Sequence, residues 1–487
     1  MNKRYILVLI VTLLFITACS NQEPLINNNF SIIGDVSNSF NFQSLEGEFE
    51  AVTIEYNSKK IPAYKVSDLI NKASPITGDF DLILVSDDYF SVRVVGDSLN
   101  DAYLVYDKED NWVFLSEKHP KNSKVKNIKE LIIINNQEEL DKGLNVVSED
   151  ETFNYSIGNL YAKGYTLVPF IDGQTSKTVD GNEYKIEVMK YRKMIPLENI
   201  LEDNAKVETI LLASFEGEYE YLYNKDLFVT LEDNILGIYD SNRDLLYENV
   251  VGIMLNPPEM SNLEIYDMVV KYLAEDEKVL VILVDGFSYF QYQEYVVNNK
   301  ELFLSSIEDV YKSTSVYKPV TNAGFSTIIT GEKPSVHGVL DRSYRQVMSK
   351  TIFDHAKEND KSSILTEGDI NILNIDVETV LNLDKNKDGF NEDEIFESSM
   401  ENLDKDLLFV HFHSVDDAGH SYGPISEEVF ARIEIVDEYI KQLVKEWSGK
   451  VLIVSDHGMH ETVEGGSHGQ FRAEDIFVPI LVIDGEK

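Results

Sequence analysis

The most constraining feature of this sequence is a set of continuous apolar runs in its C-terminal half that each end in polar residues. The runs are KVLVILVDG, DLLFVHFHSVD, KVLIVSDHG and FVPILVID. Uninterrupted apolar runs of this length are typical of strands that are buried on both faces of a parallel sheet. Between them lies a segment with five apolar residues at helical spacing: Val429, Ile433, Val436, Ile440 and Leu443. Residues 261–487 are therefore predicted to form an α/β domain with a mostly parallel sheet flanked by helices.

Residues 45–260 have a different texture, with short β-like runs separated by acidic and Gly/Asn-containing turns. The block occurs twice. KKIPAYKVSDLI, DLILVSDDYFSVRVV and AYLVYDKED are followed, in the same order, by RKMIPLENIL, TILLASFEGEYEYLY and ILGIYDSNRD. The preserved order predicts a tandem duplication of a small β-rich domain, with one copy at residues 45–140 and the other at residues 141–260.

The N-terminal segment MNKRYILVLIVTLLFITACS combines a basic start, an apolar run and a small-residue site followed directly by Cys19. This arrangement indicates a secretory signal, and it resembles a bacterial lipoprotein signal with its lipobox. It predicts removal of residues 1–18, lipidation of Cys19 and a polar tether over residues 19–44. The protein would then be exported and held at the membrane, on the bacterial cell surface or the periplasmic face. The alternative is an uncleaved anchor, for which the apolar run is short.

The formal net charge of −42 excludes nucleic-acid binding through a basic surface. A strongly anionic protein can still bind a phosphate substrate if metal cations supply the local positive charge. Cys19 is the only cysteine, so the chain has no internal disulfide.

Aspartate and histidine residues collect where the predicted C-terminal strands end, which is the sheet edge at which α/β proteins bind ligands. Of the nine histidines, only His119 precedes position 337. Carboxylate and imidazole groups together are ligands suited to zinc or manganese. Singly, each residue has an ordinary explanation as a turn, cap or packing residue, but the set predicts a metal centre. The candidate ligands are Asp285, Asp416, His420, Asp456, His457 and His468.

Thr321 stands between a strand-like segment, TSVYKPV, and a helix-like segment, NAGFSTIIT. It is therefore predicted near a helix N-terminus, where backbone N–H groups point outward and stabilise an anion. Two interpretations are open on this evidence alone. Thr321 is either a capping residue without chemistry or a hydroxyl that reacts at the metal centre.

Four motifs together resemble those of the alkaline phosphatase superfamily, in particular its type I phosphodiesterase/nucleotide pyrophosphatase branch. They are TGEKPSVHG, which follows shortly after Thr321, DDAGHSYGP, SDHGM and SHGQF. The resemblance covers residues 278–487. It implies an alkaline phosphatase-like fold for the C-terminal half, preceded by the β-rich, duplicated N-terminal region.

The resemblance also implies roles for individual residues. It implies two metal sites, one formed by Asp285, Thr321, Asp456 and His457 and the other by Asp416, His420 and His468. Two divalent cations, zinc or manganese, would activate the Thr321 hydroxyl, which would attack phosphorus and carry a phospho-enzyme intermediate. Asn322 would bind a phosphate oxygen.

The resemblance therefore predicts an exported, lipid-anchored, metal-dependent hydrolase of small phosphate esters, of the phosphodiesterase/nucleotide pyrophosphatase type. The segment Asn322-Ala323-Gly324 departs from that branch and resembles phosphonoacetate hydrolases, which keeps phosphomonoesters and phosphonates open as substrates. An alternative from another class is a surface-binding lipoprotein whose hydrolase domain is inert. The complete set of candidate ligands disfavours that alternative.

A second acidic site is predicted in the segment LDKNKDGFNEDEIFE. Asp384, Asn386 and Asp388 alternate before a glycine, as in a calcium-binding loop of the EF-hand type, and Glu394 follows. The acidic residue comes one position earlier than in a standard loop. The alternative is a solvated acidic turn without a ligand.

Overall fold

A computed structural model describes residues 29–484 except 43–44, 46, 121–123, 137–142, 202–205, 224–225 and 233–234. The predicted signal segment and Cys19 lie outside the described residues. The chain divides into two compact units. The first comprises Met1–Glu139 and Ser156–Ala162, and the second comprises Leu140–Tyr155 and Lys163–Lys487.

The first unit contains nine described strands, two α-helices and a 3₁₀ turn. The strands are β1 Phe30–Gly34, β2 Phe40–Phe42, β3 Ala51–Tyr56, β4 Lys59–Lys65, β5 Phe80–Ser86, β6 Ser91–Val95, β7 Ala102–Asp107, β8 Asn111–Ser116 and β9 Ile128–Asn135. The helices are α1 Val66–Ala73 and α2 Ile157–Ala162, and the 3₁₀ turn is Gly96–Asp101. One sheet has the order β2-β1-β9-β5-β6 and the other β3-β4-β7-β8. A hydrophobic cluster joins both sheets with α1.

The second unit begins with another β-rich region. Its strands are β10 Leu144–Ser148, β11 Glu151–Tyr155, β12 Thr166–Val179, β13 Asn182–Pro196, β14 Ile210–Ser214, β15 Tyr219–Leu222, β16 Phe228–Glu232, β17 Ile235–Tyr239, β18 Leu245–Tyr247 and β19 Val250–Leu255. They form the sheets β11-β10-β19-β14-β15 and β12-β13-β16-β17-β18.

The two β-rich regions repeat one topology. In the sheets β2-β1-β9-β5-β6 and β11-β10-β19-β14-β15, the strand that comes first in the sequence pairs in parallel with the strand that comes last in the sequence, as β1 does with β9 and β10 with β19. In each, the remaining pairings are antiparallel and follow the same order. The second sheets also correspond strand by strand, with β3, β4, β7 and β8 matching β12, β13, β16 and β17. This repetition supports the duplication that the sequence predicted.

Two details of the sequence prediction were wrong. The predicted tether over residues 19–44 contains β1 and β2, because Phe30, Ile32 and Phe42 are buried in the core of the first unit. The run AYLVYD in β7 was aligned with ILGIYD in β17. By their order in the sheets, however, β7 is equivalent to β16 and β8 is equivalent to β17. The first strands were missed because the segment around them is polar. The alignment was displaced by one strand because the acidic turns that follow the strands are similar.

The C-terminal part of the second unit forms an eight-stranded sheet with a small two-stranded hairpin. The sheet strands are β20 Met260–Ser261, β21 Val279–Val284, β22 Val310–Thr314, β23 Ser363–Glu367, β24 Thr379–Leu381, β25 Leu407–Phe412, β26 Lys450–Val454 and β29 Phe477–Asp484, and the hairpin strands are β27 His460–Thr462 and β28 Gly465–Ser467. The order in the sheet is β20-β22-β29-β26-β21-β25-β23-β24. All pairings are parallel except those of β29, which runs antiparallel to its two neighbours.

Helices cover both faces of this sheet. They are α3 Glu264–Ala274, α4 Tyr289–Gln291, α5 Thr321–Thr330, α6 Pro334–His337, α7 Ile352–Glu358, α8 Glu392–Met400, α9 Ser414–Tyr422, α10 Glu427–Glu446 and α11 Ala473–Ile476. Short turns of other helix types lie at Leu197–Asn199, Tyr292–Val296 and Leu304–Ser306. The predicted mostly parallel α/β fold is confirmed.

The central strand β21 explains why its sequence is apolar throughout. Leu280 and Ile282 pack into the cluster that contains α10, whereas Val281 and Leu283 pack into the cluster under α5. Each such fully buried aliphatic side chain contributes about 1.5–3 kcal/mol relative to exposure. The buried face of α10 consists of the residues that the helical spacing predicted. Among the described residues, no helix is both long and apolar enough to cross a membrane.

Candidate active site

The proposed ligands come from elements that meet at the carboxyl edge of the eight-stranded sheet. Asp285 follows β21, Asp456 and His457 follow β26, and His468 follows β28. Asp416 and His420 lie one turn apart on α9, which begins just after β25. Parallel strands bring their carboxyl ends to one edge, so residues far apart in the sequence become neighbours.

The first predicted group is assembled around His457. Its Nε2 atom lies 3.2 Å from Asp285 Oδ1 and 3.6 Å from Asp456 Oδ2. The hydroxyl Oγ1 of Thr321 lies 3.3 Å from the same Nε2 atom. Ligand atoms of Asp285, Asp456 and His457 all lie within 4.8 Å of one another, a spacing that a single metal ion can bridge. The structure therefore brings the four predicted residues of this site together.

The second predicted group is assembled around Asp416. His420 Nε2 lies 3.3 Å from Asp416 Oδ2, and His468 Nε2 lies 3.6 Å from Asp416 Oδ1. The two groups adjoin, because the His457 and His468 rings stack with centroids 3.7 Å apart. The guanidinium of Arg342 contacts the Nε2 atoms of both His468 and His420, the latter at 3.4 Å. The position of this cationic group marks the point toward which both Nε2 atoms are turned.

All three histidines are oriented in the same way. The Nδ1 atoms of His420, His457 and His468 lie 3.1, 2.9 and 2.8 Å from the carbonyl oxygens of Gly466, Gly458 and Pro319, respectively. A carbonyl oxygen only accepts hydrogen bonds, so each Nδ1 carries a proton, and Nε2 is the ring nitrogen that is left to bind a metal ion. This backbone support is the usual way in which metal-binding histidines are held.

The buried charges of the site call for a cation. Among the described residues, Asp285, Asp416 and Asp456 each keep one buried carboxylate oxygen that accepts no hydrogen bond. Burial raises the pKa of Asp456 to about 7, and the charge of Asp285 adds to this effect. Burial opposes protonation of His457, but the charges of Asp456 and Asp285 outweigh it and raise its pKa to about 10. The buried carboxylates repel one another, and divalent metal ions in place of protons would neutralise them. The residues present therefore fit a metal centre.

Thr321 is the first residue of helix α5, as predicted. The helix can approach the centre because Gly324 faces the chain at Asp456, where a Cβ atom would lie 2.2 Å from the Asp456 carbonyl oxygen. The helix ends at Gly331, which has a φ of 67° in the left-handed region. His337 is buried and its Nε2 lies 3.1 Å from Thr327 Oγ1, so it anchors α6 to α5. The TGEKPSVHG motif therefore lies away from the metal ligands, and it supports helix α5, which carries Thr321.

Asn322 is placed differently from the phosphate-binding role that the resemblance implied. Its side-chain amide donates to the carbonyl oxygens of Tyr344 at 3.0 Å and Ile372 at 3.5 Å. These bonds fasten the start of α5 to two neighbouring segments. The free backbone N–H groups at the start of α5 remain the donors that a bound phosphate oxygen can use.

Three residues of the site, His411, His413 and Glu367, were not among the candidates that the sequence predicted. His411 and His413 lie 3.3 and 3.4 Å from Asp285 Oδ2 through Nε2 and Nδ1, respectively. Their other ring nitrogens lie 3.0 and 2.6 Å from Oε1 of Glu367, which is fully buried at the end of β23. Ligand atoms of Asp285, His411 and His413 also lie within 4.8 Å of one another. The only signal in the sequence was the position of Glu367 at the end of an apolar run.

Glu367 is expected to hold Asp285 in position through the two histidines. Burial opposes its ionisation, but the charges of His411 and His413 lower its pKa to about 2. We expect Glu367→Gln to weaken metal retention about 10–100-fold, as loss of an outer carboxylate typically does. Glu378→Gln, which changes an exposed carboxylate near the adjoining strand, is the matched control and should retain metal normally. Metal competition with a chelator measures both, and equal affinities in the two variants would contradict the role of Glu367.

The residues of the predicted calcium loop lie in one segment and in the helix that follows it. Asp384, Asn386 and Asp388 lie in the segment between β24 and α8, and Glu394 lies in the first turn of α8. The backbone N–H of Lys385 donates to Glu394 Oε1 at 2.7 Å, which joins the two ends of the segment.

Part of this chain matches a known protein family. Residues 355–483 match the family model described as Type I phosphodiesterase / nucleotide pyrophosphatase. The match contains the second group of ligands together with Asp456 and His457, at the strand ends where the structure assembles them. At the level of the alkaline phosphatase superfamily, of which this family is a branch, the predicted resemblance is confirmed.

Curated relatives of this chain include two fungal proteins named GPI ethanolamine phosphate transferase 1. The one from Emericella nidulans is 35% identical over 86 residues, which are 16% of this chain and 9% of that protein. The one from Yarrowia lipolytica is 32% identical over 109 residues, which are 18% of this chain and 11% of that protein. The match therefore spans about a tenth of the length of these relatives.

Two solved structures are among those similar to part of this chain. One is an inactive murine ectonucleotide pyrophosphatase/phosphodiesterase 5 in complex with AMP, with 18% identity and a TM-score of 0.32, over 39% of this chain and 59% of that chain. Another is phosphonoacetate hydrolase from Sinorhizobium meliloti 1021 in complex with phosphonoformate, with 16% identity and a TM-score of 0.30, over 38% of this chain and 57% of that chain.

Proposed function

We propose that this protein is a metal-dependent hydrolase of phosphate diesters or pyrophosphates that acts through a phosphothreonine at Thr321. The observation that carries the proposal is the common orientation of His420, His457 and His468. Each donates Nδ1–H to a backbone carbonyl and turns Nε2 toward buried carboxylates. A surface-binding protein with an inert domain would have no need of a complete and oriented ligand set.

The metal ions would be held by two sets of residues. One set is Asp285, Thr321, Asp456 and His457, and the other is Asp416, His420 and His468. Mixed carboxylate and imidazole ligands suit zinc, and manganese is the alternative. When bound, two such ions supply the positive charge that lowers the pKa of a coordinated hydroxyl and neutralises phosphate oxygens.

The residues of the chain then divide the remaining work. Thr321 presents its Oγ1 at the edge of the two metal-binding groups, fixed by its position at the start of α5. The Thr321 hydroxyl gives up its proton and its oxygen forms a bond to phosphorus, while the bond from phosphorus to the leaving-group oxygen breaks and that oxygen takes up a proton. The N-terminal N–H groups of α5 point toward the charge that develops on the phosphate oxygens.

The phosphothreonine is resolved in a second displacement. A water molecule forms the new bond to phosphorus, the bond to Thr321 Oγ1 breaks, and the free hydroxyl returns. The buried surroundings of Thr321, which is 9% exposed, limit the direction from which this water can approach. Free enzyme and a phosphate or phosphomonoester product are restored.

A second candidate function differs only in the acceptor. The relatives in Emericella nidulans and Yarrowia lipolytica are named transferases of ethanolamine phosphate. In a transferase, an alcohol takes the place of water in the second displacement. The match to these relatives is short, so we favour water as the acceptor.

A substrate screen tests the proposal. The zinc-loaded or manganese-loaded protein is incubated with diesters, pyrophosphates, monoesters and phosphonates, with and without an added alcohol such as ethanolamine. We expect diesters or pyrophosphates to be hydrolysed fastest. Faster turnover of monoesters or phosphonates would replace the proposed substrate class, and products that carry the alcohol would favour the transferase. No turnover of any class would contradict the enzyme proposal.

We also propose that the protein is exported and anchored by a lipid on Cys19, as ITAC at residues 16–19 indicates. The Cys19→Ser protein should lose acyl label and leave the membrane fraction in cell fractionation. Membrane retention without acyl label would contradict a lipid anchor and favour an uncleaved N-terminal helix.

A further inference from the structure

Residues 384–394 form an acidic loop whose backbone is folded around its own oxygen atoms. Asp384 accepts the backbone N–H groups of Lys387 at 2.5 Å and Gly389 at 3.0 Å. Asn386 Oδ1 accepts the N–H of Asp388 at 2.9 Å. Gly389 has a φ of 96°, which is in the left-handed region that favours glycine. The loop thus presents carboxylate and amide oxygens at alternate positions.

Glu394 supplies the independent observation that points to a cation. It is only 4% exposed, and its Oε1 accepts the N–H of Lys385, which holds the carboxylate against the loop. Its Oε2 is buried and accepts no hydrogen bond from the part of the chain that the structure describes. A buried carboxylate oxygen without a donor is costly unless a cation neutralises it. Asp393 adds a second carboxylate at this place, since its Oδ2 accepts from Asn386 at 2.9 Å.

We propose that the acidic loop binds one calcium ion through Asp384, Asn386, Asp388 and Glu394. All four offer oxygen atoms, which are the ligands that hard cations prefer over zinc-type ions. Calcium accepts six to eight ligands in flexible geometry, so a glutamate one position early in the loop can still reach it. Magnesium needs near-ideal octahedral geometry and fits this irregular arrangement less well.

The acidic loop is connected at both ends to the candidate active site. Asn382, just before the loop, donates its backbone N–H and its side-chain amide to the carbonyl oxygen of Glu367 at 3.1 and 3.0 Å. Glu392, within the loop, accepts the N–H groups of His413 at 3.1 Å and Ser414 at 2.7 Å. Ser414 begins helix α9, which carries Asp416 and His420. Calcium therefore orders the segment that holds this helix in place.

Calorimetry tests the calcium site on the full-length protein, with zinc first added in stoichiometric amount so that the catalytic centre is filled. We expect one calcium per chain with a dissociation constant of about 10⁻⁴–10⁻³ M, as in extracellular calcium modules. Asp384→Ala and Glu394→Gln should each weaken binding at least ~10-fold, because each removes a charged ligand. Glu397→Gln, an equal charge change on the exposed face of α8, should bind as the parent does. The same isotherm in all four proteins, or no uptake by the parent, would overturn the site.

Zinc affinity tests the connection between the acidic loop and α9. This second test depends on the proposed metal centre, whereas the test of calcium binding does not. Calcium should tighten zinc binding about 5–150-fold in the parent and in Glu397→Gln, the usual range of coupling between two sites. The gain should vanish in Asp384→Ala and in Glu394→Gln. Glutamine has the same shape as glutamate, so the second variant still tests the connection if the alanine variant fails to fold. Zinc affinity that is identical with and without calcium, in a protein that binds calcium, would overturn the connection.

Discussion

Thr321→Ala is expected to lose activity by several orders of magnitude while it keeps its fold and most of its metal. The loss is large because the variant has no oxygen to form a bond with phosphorus, and residual activity then depends on orientation and charge alone. Metal is retained because Asp285, Asp456 and His457 remain at that site. The methyl-bearing side chain also makes little contribution to the core of α5, whose buried face is formed by Phe325, Ile328 and Ile329.

Thr321→Ser separates the chemical role from a structural one. Serine keeps the hydroxyl and also suits a helix start, so we expect measurable activity from Thr321→Ser and almost none from Thr321→Ala. Turnover numbers and bound metal are determined for both variants on the best substrate of the screen. If Thr321→Ala turned over at close to the parental rate, Thr321 would be a capping residue only.

Removal of a histidine ligand should abolish metal binding and activity together. His457→Ala takes away the one nitrogen that faces Asp285, Asp456 and Thr321, and it leaves two buried carboxylates facing each other. We expect metal retention to fall more than ~100-fold, beyond the loss typical of outer residues, with a parallel loss of turnover. His420→Ala should do the same for the second group.

His355→Ala provides the matched control for these variants. His355 lies on α7 and its Nε2 contacts only the neighbouring Asn359 side chain among the described residues, at 3.4 Å. Elemental analysis after dialysis should find about two transition-metal ions per chain in the parent and in this control. A metal-free preparation with full activity would contradict the metal-centred account as a whole. Chelation should also lower the unfolding temperature, since bound ligand stabilises the folded state by mass action.

The sequence predicted most of the C-terminal region because its physical signals are strong. The run KVLVILVDG had to be a strand buried on two faces, and β21 has clusters on both sides. The strand ends then placed Asp285, Asp456 and His457 at one edge without further information. The antiparallel course of β29 could not be predicted, because an apolar run carries no sign of strand direction.

The parts that the sequence did not predict depend on contacts between distant segments. Glu367 ends a short strand, SILTE, and its position at the end of this apolar run does not by itself show that it is buried or that it supports the site. Its importance arises from His411 and His413, which reach it from a neighbouring strand. The Asn322 amide was likewise assigned to phosphate, although the carbonyl oxygens of Tyr344 and Ile372 use its two hydrogens. The alternation of buried residues over Phe30–Gly34 covers only five positions, which is weak evidence for a strand next to a polar segment.

The stereochemical course at phosphorus tests the central claim most directly. Each in-line displacement inverts the configuration at phosphorus, so attack by Thr321 followed by attack by water restores it. A diester made chiral by one sulfur and isotopic oxygen substitution is hydrolysed by the metal-loaded protein, and the configuration of the product is determined. The account predicts net retention. Net inversion would show that water attacks the substrate directly, and it would contradict a phosphothreonine at Thr321.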